Sequence, residues 1–576
     1  MSVLEVNLHK IRGVTSTRMF TAPFVPPLLL QFLTLNELPC LRRVSRSVHR
    51  FTSGRLPWEC LVARRRGWDM LDFRCARVLT AILKVPRASL RAVGHVQIEL
   101  NPIALPGWLD AVALMPELRK LEIMDSSRRF SEGDVKLGND SEVAATYRPW
   151  ALAEWCPILE SFVVRGFTPP ARLSLPATIT NIFVRWFHES KESRPVDVSQ
   201  APLLRVLDCA RPDAVRGLET CENMEDVTLT VSATLTPALA VLWREKLHSL
   251  RLTHCEANLT LIADLDVLTT LGLFWCWHPA SAAQEEAPYH WPTLRVLELK
   301  SGGLVRGTRI TTASFRHARH LTRLVTTLDD LSDDCLECIR SSRLELRHLE
   351  LNPWTNDAKI SGQFITWGLP VLGTLRIEGF TNFVLPSPLA VHCPRLTDLG
   401  VRPSGEFLLP PNIKRLSLLN LDKPPDVGWL AHQSTLIYLF IGKARNSAGW
   451  PASWAFFGLP VTVLLTLREL RIEACTHFTF LALAERVLCE RRRQGQVVPS
   501  CRWVSQPTGV EWKQSLEDAG GEGRMDTWLE GRVASLRALA GPGVALDLSR
   551  RYSSELELCM RNMDSDSEVK LDDRRH

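Results

Sequence analysis

Cys335 and Cys338 stand in a C-x-x-C spacing, by which two thiols can share a metal ion or cycle between dithiol and disulfide. A metal site needs a second pair of ligands and a redox pair needs a thioredoxin-type strand context; neither is apparent. The pair falls in LSDDCLECIRSSR (331–343), which reads as a helix capped by Ser332, with Asp333 and Asp334 in its first turn. Both cysteines are therefore expected as small apolar residues beneath that helix. The fifteen histidines do not fall in metal-ligand pairs, and the chain has no P-loop, no G-x-G-x-x-G, no H-E-x-x-H and no nucleophile elbow. The expectation is a chain with no catalytic residues, no metal and no cofactor. What remains is binding chemistry. Leu419, Tyr438 and Phe440, flanked by Arg376, Arg402, Arg415 and Arg471, combine apolar and aromatic side chains with arginine, the usual make-up of a protein-binding hot spot.

Those residues sit inside a phrase the chain repeats sixteen times: an apolar residue, two variable residues, a second apolar residue, one variable residue and a third apolar residue. The frames begin at Val93, Leu118, Leu159, Ile179, Leu204, Met224, Leu247, Leu268, Leu294, Leu321, Leu346, Leu372, Leu396, Ile413, Leu436 and Leu467. From first to last is 374 residues over fifteen intervals, a mean near 25. That period and the L-x-x-L-x-L frame identify a leucine-rich repeat solenoid. Several frames carry proline two residues before the first apolar position, as at Pro116, Pro157 and Pro202, where a fixed φ and a missing amide donor suit a strand entrance. Three frames run on to a cysteine, Cys255, Cys276 and Cys475, and resemble the cysteine-containing subclass of leucine-rich repeats. The interval from Leu118 to Leu159 is 41 residues and holds the polar stretch 125–142, either an insertion or one degenerate rung.

Each frame is expected to be one short parallel strand with its leucines inward and the intervening residues on the opposite, concave face. That places Ser249, Arg251 and Thr253 outward on one rung, and Tyr438 and Phe440 on another. On this register Leu419, Tyr438 and Phe440 form an apolar patch on adjacent rungs, available to a partner or covered by a C-terminal cap. The cluster Phe274-Trp275-Cys276-Trp277 stands at a strand end before a polar loop, fit either to grip a partner at the rim or to pack beneath that loop.

Composition agrees with a folded binding protein. Of 576 residues, 45% are hydrophobic and 23% charged, which is ordinary globular material. Sixty-nine basic against 63 acidic residues leave +6, too small for a nucleic acid as the main partner. Fifteen scattered cysteines and no signal-peptide pattern suggest a reducing compartment, cytoplasmic or nuclear. Lys10, Arg12 and Arg18 among serines and threonines resemble a mitochondrial leader, against which Glu5 counts. The most apolar early stretch, 24–41, holds three prolines with Gln31, Asn36 and Glu37, so no membrane span is expected.

Residues 24–61 follow a different pattern, two helical segments about a turn-like NELP. On residues alone this is a helical cap for the solenoid. The order of residues is more specific: Pro26-Pro27 before Leu28, Leu29, Phe32 and Leu33; then Glu37-Leu38; then LRRVSR at 41–46; then Trp58 and Leu61. This resembles an F-box, the motif by which substrate receptors dock on the adaptor subunit of SCF-type cullin-RING ubiquitin ligases. It departs from the family pattern in Glu37 for aspartate, Val48 for tryptophan and Val25 for the opening leucine. The resemblance implies an SCF adaptor and cullin as partners, adaptor binding by Pro27, Leu28, Phe32, Leu38, Leu41, Val44 and Trp58, and a protein substrate on the repeats.

The expected architecture is thus α/β: an N-terminal extension (1–23), an F-box-like helical head (24–68), a leucine-rich repeat solenoid (76–490), a C-terminal cap (491–549) and a disordered tail (550–576). The expected function is a non-catalytic substrate-recruiting subunit; the alternative is a repeat scaffold or inhibitor unrelated to ubiquitin.

Overall fold

The structure is a computed structural model and describes residues 60–63, 91, 93–100, 105–125, 150–165, 173–185, 196–209, 215–230, 235–278, 289–300, 308–309, 312–327, 336–352, 360, 362–378, 388–401, 409–421, 430, 433, 435–443, 461–473, 476–495, 501–506, 509–521, 524–540, 544–550 and 556–562. The chain divides into two compact units, residues 1–285 with 305–309 and residues 286–304 with 310–576.

The leucines of the frames generate the sheets. All sixteen frame-opening residues are at most 2% exposed, from Val93 to Leu467. The second and third apolar positions follow them inward, as Leu250 and Leu252 do in one rung and Leu470 and Ile472 in another. Each fully buried aliphatic side chain contributes about 1.5–3 kcal/mol of burial free energy. Three per rung, shared with the rungs on either side, hold the stack together, and none of the described cysteines in the rungs is in a disulfide.

In the first unit nine strands run parallel: β1 (Cys60–Ala63), β2 (His95–Leu100), β3 (Lys120–Asp125), β4 (Ser161–Arg165), β5 (Asn181–Arg185), β6 (Val206–Cys209), β7 (Asp226–Thr230), β8 (Ser249–Thr253) and β9 (Thr270–Phe274). Equivalent frame positions stand opposite one another, as in Val227↔Leu250 and Leu250↔Leu271. Lys120 pairs directly with Ser161, so the 41-residue interval is an insertion and no rung stands between those strands. Short helices fill the return segments. α1 (Pro237–Trp243) starts on the Thr236 hydroxyl, which accepts from the Leu239 amide, with Pro237 in the first turn. Its buried Trp243 donates from Nε1 to the Cys221 carbonyl at 3.0 Å.

A single carbonyl sets the entry of each strand. The residue after the frame-opening leucine accepts from two successive amides of the next rung, as His248 does from Thr269 and Thr270 at 2.9 and 3.0 Å. Threonine hydroxyls add a third donor at several rungs: Thr180 to Glu160, Thr269 to His248 and Thr322 to Arg295, at 3.0, 3.0 and 3.2 Å.

In the second unit nine more strands are parallel: β10 (Val296–Lys300), β11 (Arg323–Thr326), β12 (His348–Leu351), β13 (Thr374–Ile377), β14 (Asp398–Val401), β15 (Arg415–Leu421), β16 (Tyr438–Lys443), β17 (Glu469–Glu473) and β18 (Cys501–Gln506). Cys338 lies in the helix Glu337–Ser342, buried and not in a disulfide. Helix α2 (His477–Gln494) begins at the Thr476 cap and ends at Gly495, whose φ of 63° permits the left-handed C-cap. Its Arg491 is 1% exposed and donates to the Leu465 carbonyl at 2.9 Å.

The ends differ from the expected boundaries. The sheet begins at Cys60–Ala63, inside the segment assigned to the helical head, with Leu61 opposite Val96. Trp58 lies outside the described residues. At the other end, Arg502 stands opposite Glu469 and Trp503 opposite Leu470, so the parallel sheet continues past residue 490. Residues 556–562, within the segment expected to be disordered, form a strand antiparallel to both β18 and Val544–Arg550. Alternating Leu556, Leu558 and Met560 give that strand one apolar row.

Candidate binding face on the second unit

The outward rows of the second unit bring most of the expected binding residues together. Strand register aligns Asp398, Arg415, Tyr438 and Glu469 in one row, and Arg376, Gly400, Ser417, Phe440 and Arg471 in the next. Side chains in a row across parallel strands lie close enough to touch, and here they alternate in charge. Asp398 Oδ2 accepts from Arg376 Nη2 at 3.4 Å and is ion-paired with Arg415, whose Nε lies 3.6 Å away. The Arg415 guanidinium lies 4.0 Å from the centroid of the Tyr438 ring, and that of Arg471 lies 5.9 Å from the Phe440 ring. These are cation–π distances. Both aromatic residues are half-buried.

The charge pattern continues upstream. Arg323 Nε is 3.5 Å from Glu298, and His348 Nε2 is 3.6 Å from Glu350. The His348 ring beside it, with Arg376 and Arg323 nearby, holds the Glu350 carboxyl below the usual carboxylate range. Glu378 moves the opposite way, raised by burial and by the neighbouring carboxylates of Glu350 and Glu473. Burial, then Glu469, pushes the Tyr438 phenol up. Arg376 Nε and Asp398 Oδ1 are shielded from solvent and have no hydrogen-bond partner among the described residues.

Glycine sets how flat the face lies. A Cβ at Gly442 would come within 2.9 Å of Phe440 Cε1, and one at Gly400 within 3.0 Å of Arg376 Cγ and 3.3 Å of Leu419 Cδ1. The Phe440 ring and the Arg376 stem therefore rest over the backbone of these glycines.

Two expectations change. Leu419 lies beside Gly400 and the Arg376 stem but is only 8% exposed, so it is covered and offers little apolar surface. The register of β15 against β16 slips between Leu418 and Leu421. The remaining surface is an arginine–aromatic lattice in place of a greasy patch. Arg402, and the head residues Pro27, Leu28, Phe32, Leu38, Leu41, Val44 and Trp58, lie outside the described residues. Asp398, His348 and Glu350 were missed as site residues; opposite charges at equivalent positions of successive frames were the signal available. Among the described residues no cluster of three metal-ligating side chains occurs, and no helix is long and apolar enough to cross a membrane.

The fold built by this register is a leucine-rich repeat fold. No protein-family model matches the chain, and no curated protein sequence matches it. Among solved structures, it is similar to a chain of the Toll–Spatzle complex of Drosophila at 15% identity, over 73% of this chain and 50% of that one, with a TM-score of 0.33. It is also similar to the functional domain of InlJ from Listeria monocytogenes, which includes a cysteine ladder, at 12% identity over 70% and 79%, again with a TM-score of 0.33. The chain spans about half the length of the first of these. The assignment of the fold rests on the buried frames and the strand register, not on these likenesses.

Proposed function

We propose that this chain is a non-catalytic binding protein that holds a protein partner on the outward face of its second unit. The observation that carries this is the chain of contacts across two adjacent rows, Arg376 to Asp398 to Arg415 to Tyr438, with Arg471 over Phe440 beside it. Rigid rings and arginines give a partner much contact area at little entropic cost. Shielded, unpaired polar atoms at Arg376 and Asp398 give it something specific to satisfy. The test compares co-purified proteins for the wild type and for Tyr438→Ala with Phe440→Ala. One set of partners is expected to be lost, about 2 kcal/mol or more of binding, with the melting temperature little changed. A collapse in melting temperature would instead make the rings core.

The finer role within this proposal is recruitment of a substrate to an SCF-type ubiquitin ligase. Support for it is the residue order from Pro26 to Arg46 alone. A receptor of this kind accelerates transfer by proximity, presenting a substrate lysine to the charged conjugating enzyme. Affinity purification that recovers an adaptor and a cullin supports the role; a partner set without them leaves the scaffold or inhibitor reading.

A further inference from the structure

At the close of the first unit two successive rungs continue in lockstep beyond their strands. Thr253 is paired with Phe274, and after two intervening residues on each rung Glu256 pairs with Trp277. The His254 amide donates to the Phe274 carbonyl at 2.8 Å, and the Trp277 amide to the Cys255 carbonyl at 3.2 Å. The first of the two on each rung, His254 and Trp275, has a φ of 54°, a conformation bulky side chains rarely adopt. Their rings stack at 4.7 Å with 7° between planes. The repeated turn puts Cys255 and Cys276 at equivalent places on adjacent rungs, side by side. Further contacts hold each sulfur: Cys255 Sγ is 3.1 Å from the Thr253 carbonyl and Cys276 Sγ 3.3 Å from the Leu252 carbonyl. Cys255 is buried and Cys276 half-buried, and neither is in a disulfide.

We propose that Cys255 and Cys276 are an oxidisable pair, which a hydroperoxide such as hydrogen peroxide converts to a disulfide joining the two rungs. Neighbouring strands lie about 4.8 Å apart, within the roughly 4.4–6.8 Å between Cα atoms that a disulfide spans. The better-exposed Cys276 reacts first. Its thiolate attacks one peroxide oxygen, the O–O bond breaks, and the departing hydroxide takes a proton to leave as water, giving a sulfenic acid. The Cys255 sulfur then attacks the Cys276 sulfur and displaces the hydroxyl, which leaves as a second water with the Cys255 proton. Two thiols are oxidised and one peroxide is reduced to two waters. The Cys255 thiol beside it, together with burial, pushes the Cys276 thiol up, so the reactive thiolate is scarce near neutrality and the reaction quickens as pH rises. The buried resolving sulfur is already alongside, so the sulfenic acid is captured before further oxidation.

The test treats the full-length protein with hydrogen peroxide across about pH 7 to 9, alkylates the remaining thiols and digests at acidic residues, since Glu256, Asp264 and Asp266 separate the two cysteines. The expected product is a pair of peptides joined through Cys255 and Cys276, separable by dithiothreitol, with a yield that rises with pH and a raised melting temperature. Cys276→Ser is expected to abolish it and leave Cys255 alkylated. Recovery of Cys276 as sulfinic acid beside a reduced Cys255, or of either cysteine joined elsewhere, for instance to the exposed Cys489, overturns the proposal. So does wild-type protein in which both stay reduced while Cys489 oxidises. These readings come from the wild type itself, so they stand even if the variant does not fold.

Discussion

At the scale of single residues, neighbours in sequence have opposite fates. Leu250 and Leu297 are fully buried, whereas Arg251 is exposed and Glu298 half-buried. Leu250→Asp or Leu297→Asp loses a buried side chain, about 2–5 kcal/mol on truncation alone, and adds a buried charge. Arg251→Ala should stay within about 0.5 kcal/mol. Thermal melts that ranked these the other way would invert the faces of the sheet. On the first unit, the His95 hydrogen bond, then Lys120, lowers the Glu122 carboxyl from 4.5 to about 2 against the opposing effect of burial. A depressed carboxylate stabilises the fold above its unfolded value and loses that contribution as pH falls toward its folded one. The acid limb of stability between about pH 4.5 and 2 should therefore flatten in Glu122→Gln, by about 1–2 kcal/mol once solvent screening is allowed for. Denaturant titrations at pH 6, 4 and 2.5 would measure it; an unchanged acid limb would remove Glu122 from the account.

At the scale of elements, the C-terminal strand Leu556–Asn562 covers the edge of Cys501–Gln506, which would otherwise present unpaired amides and carbonyls. Removing residues 554–576 should lower the melting temperature and promote association of the truncated protein, read by light scattering. A truncated protein as stable and monomeric as the parent would mean the edge is protected in another way. Interior rungs were legible because three aliphatic residues at fixed spacing leave a signal no other element mimics. The rungs at the ends were not. Trp503 and Ser505 occupy the inward positions opposite Leu470 and Ile472, and W-x-S does not announce itself as a repeat. At the other end, Cys60–Ala63 carries no full frame of its own, and only its pairing with His95–Ile98 marks it as a strand. The outward face was half legible: Arg376, Arg415, Tyr438, Phe440 and Arg471 follow from the period of two along a strand. That Leu419 is covered is not written in RLSLLNL, where every leucine looks alike.

At the scale of the whole molecule, two proposed activities sit on separate parts of the chain and can be broken separately. Leu38→Asp with Val44→Arg should abolish recovery of adaptor and cullin while the repeat units stay folded, because rungs depend on their immediate neighbours. Cullin recovery that survived the double substitution would reject the F-box role, and loss of all soluble protein would make residues 24–59 a cap. The direct pairing of Lys120–Asp125 with Ser161–Arg165 across a 41-residue interval has a different kind of consequence. A carbonyl of one rung fixes the start of the next whatever length of chain joins them, so return segments carry no information about alignment. Such a scaffold can take up new sequence between rungs, by natural drift or by deliberate grafting of a peptide at 126–149, and keep every leucine where it was.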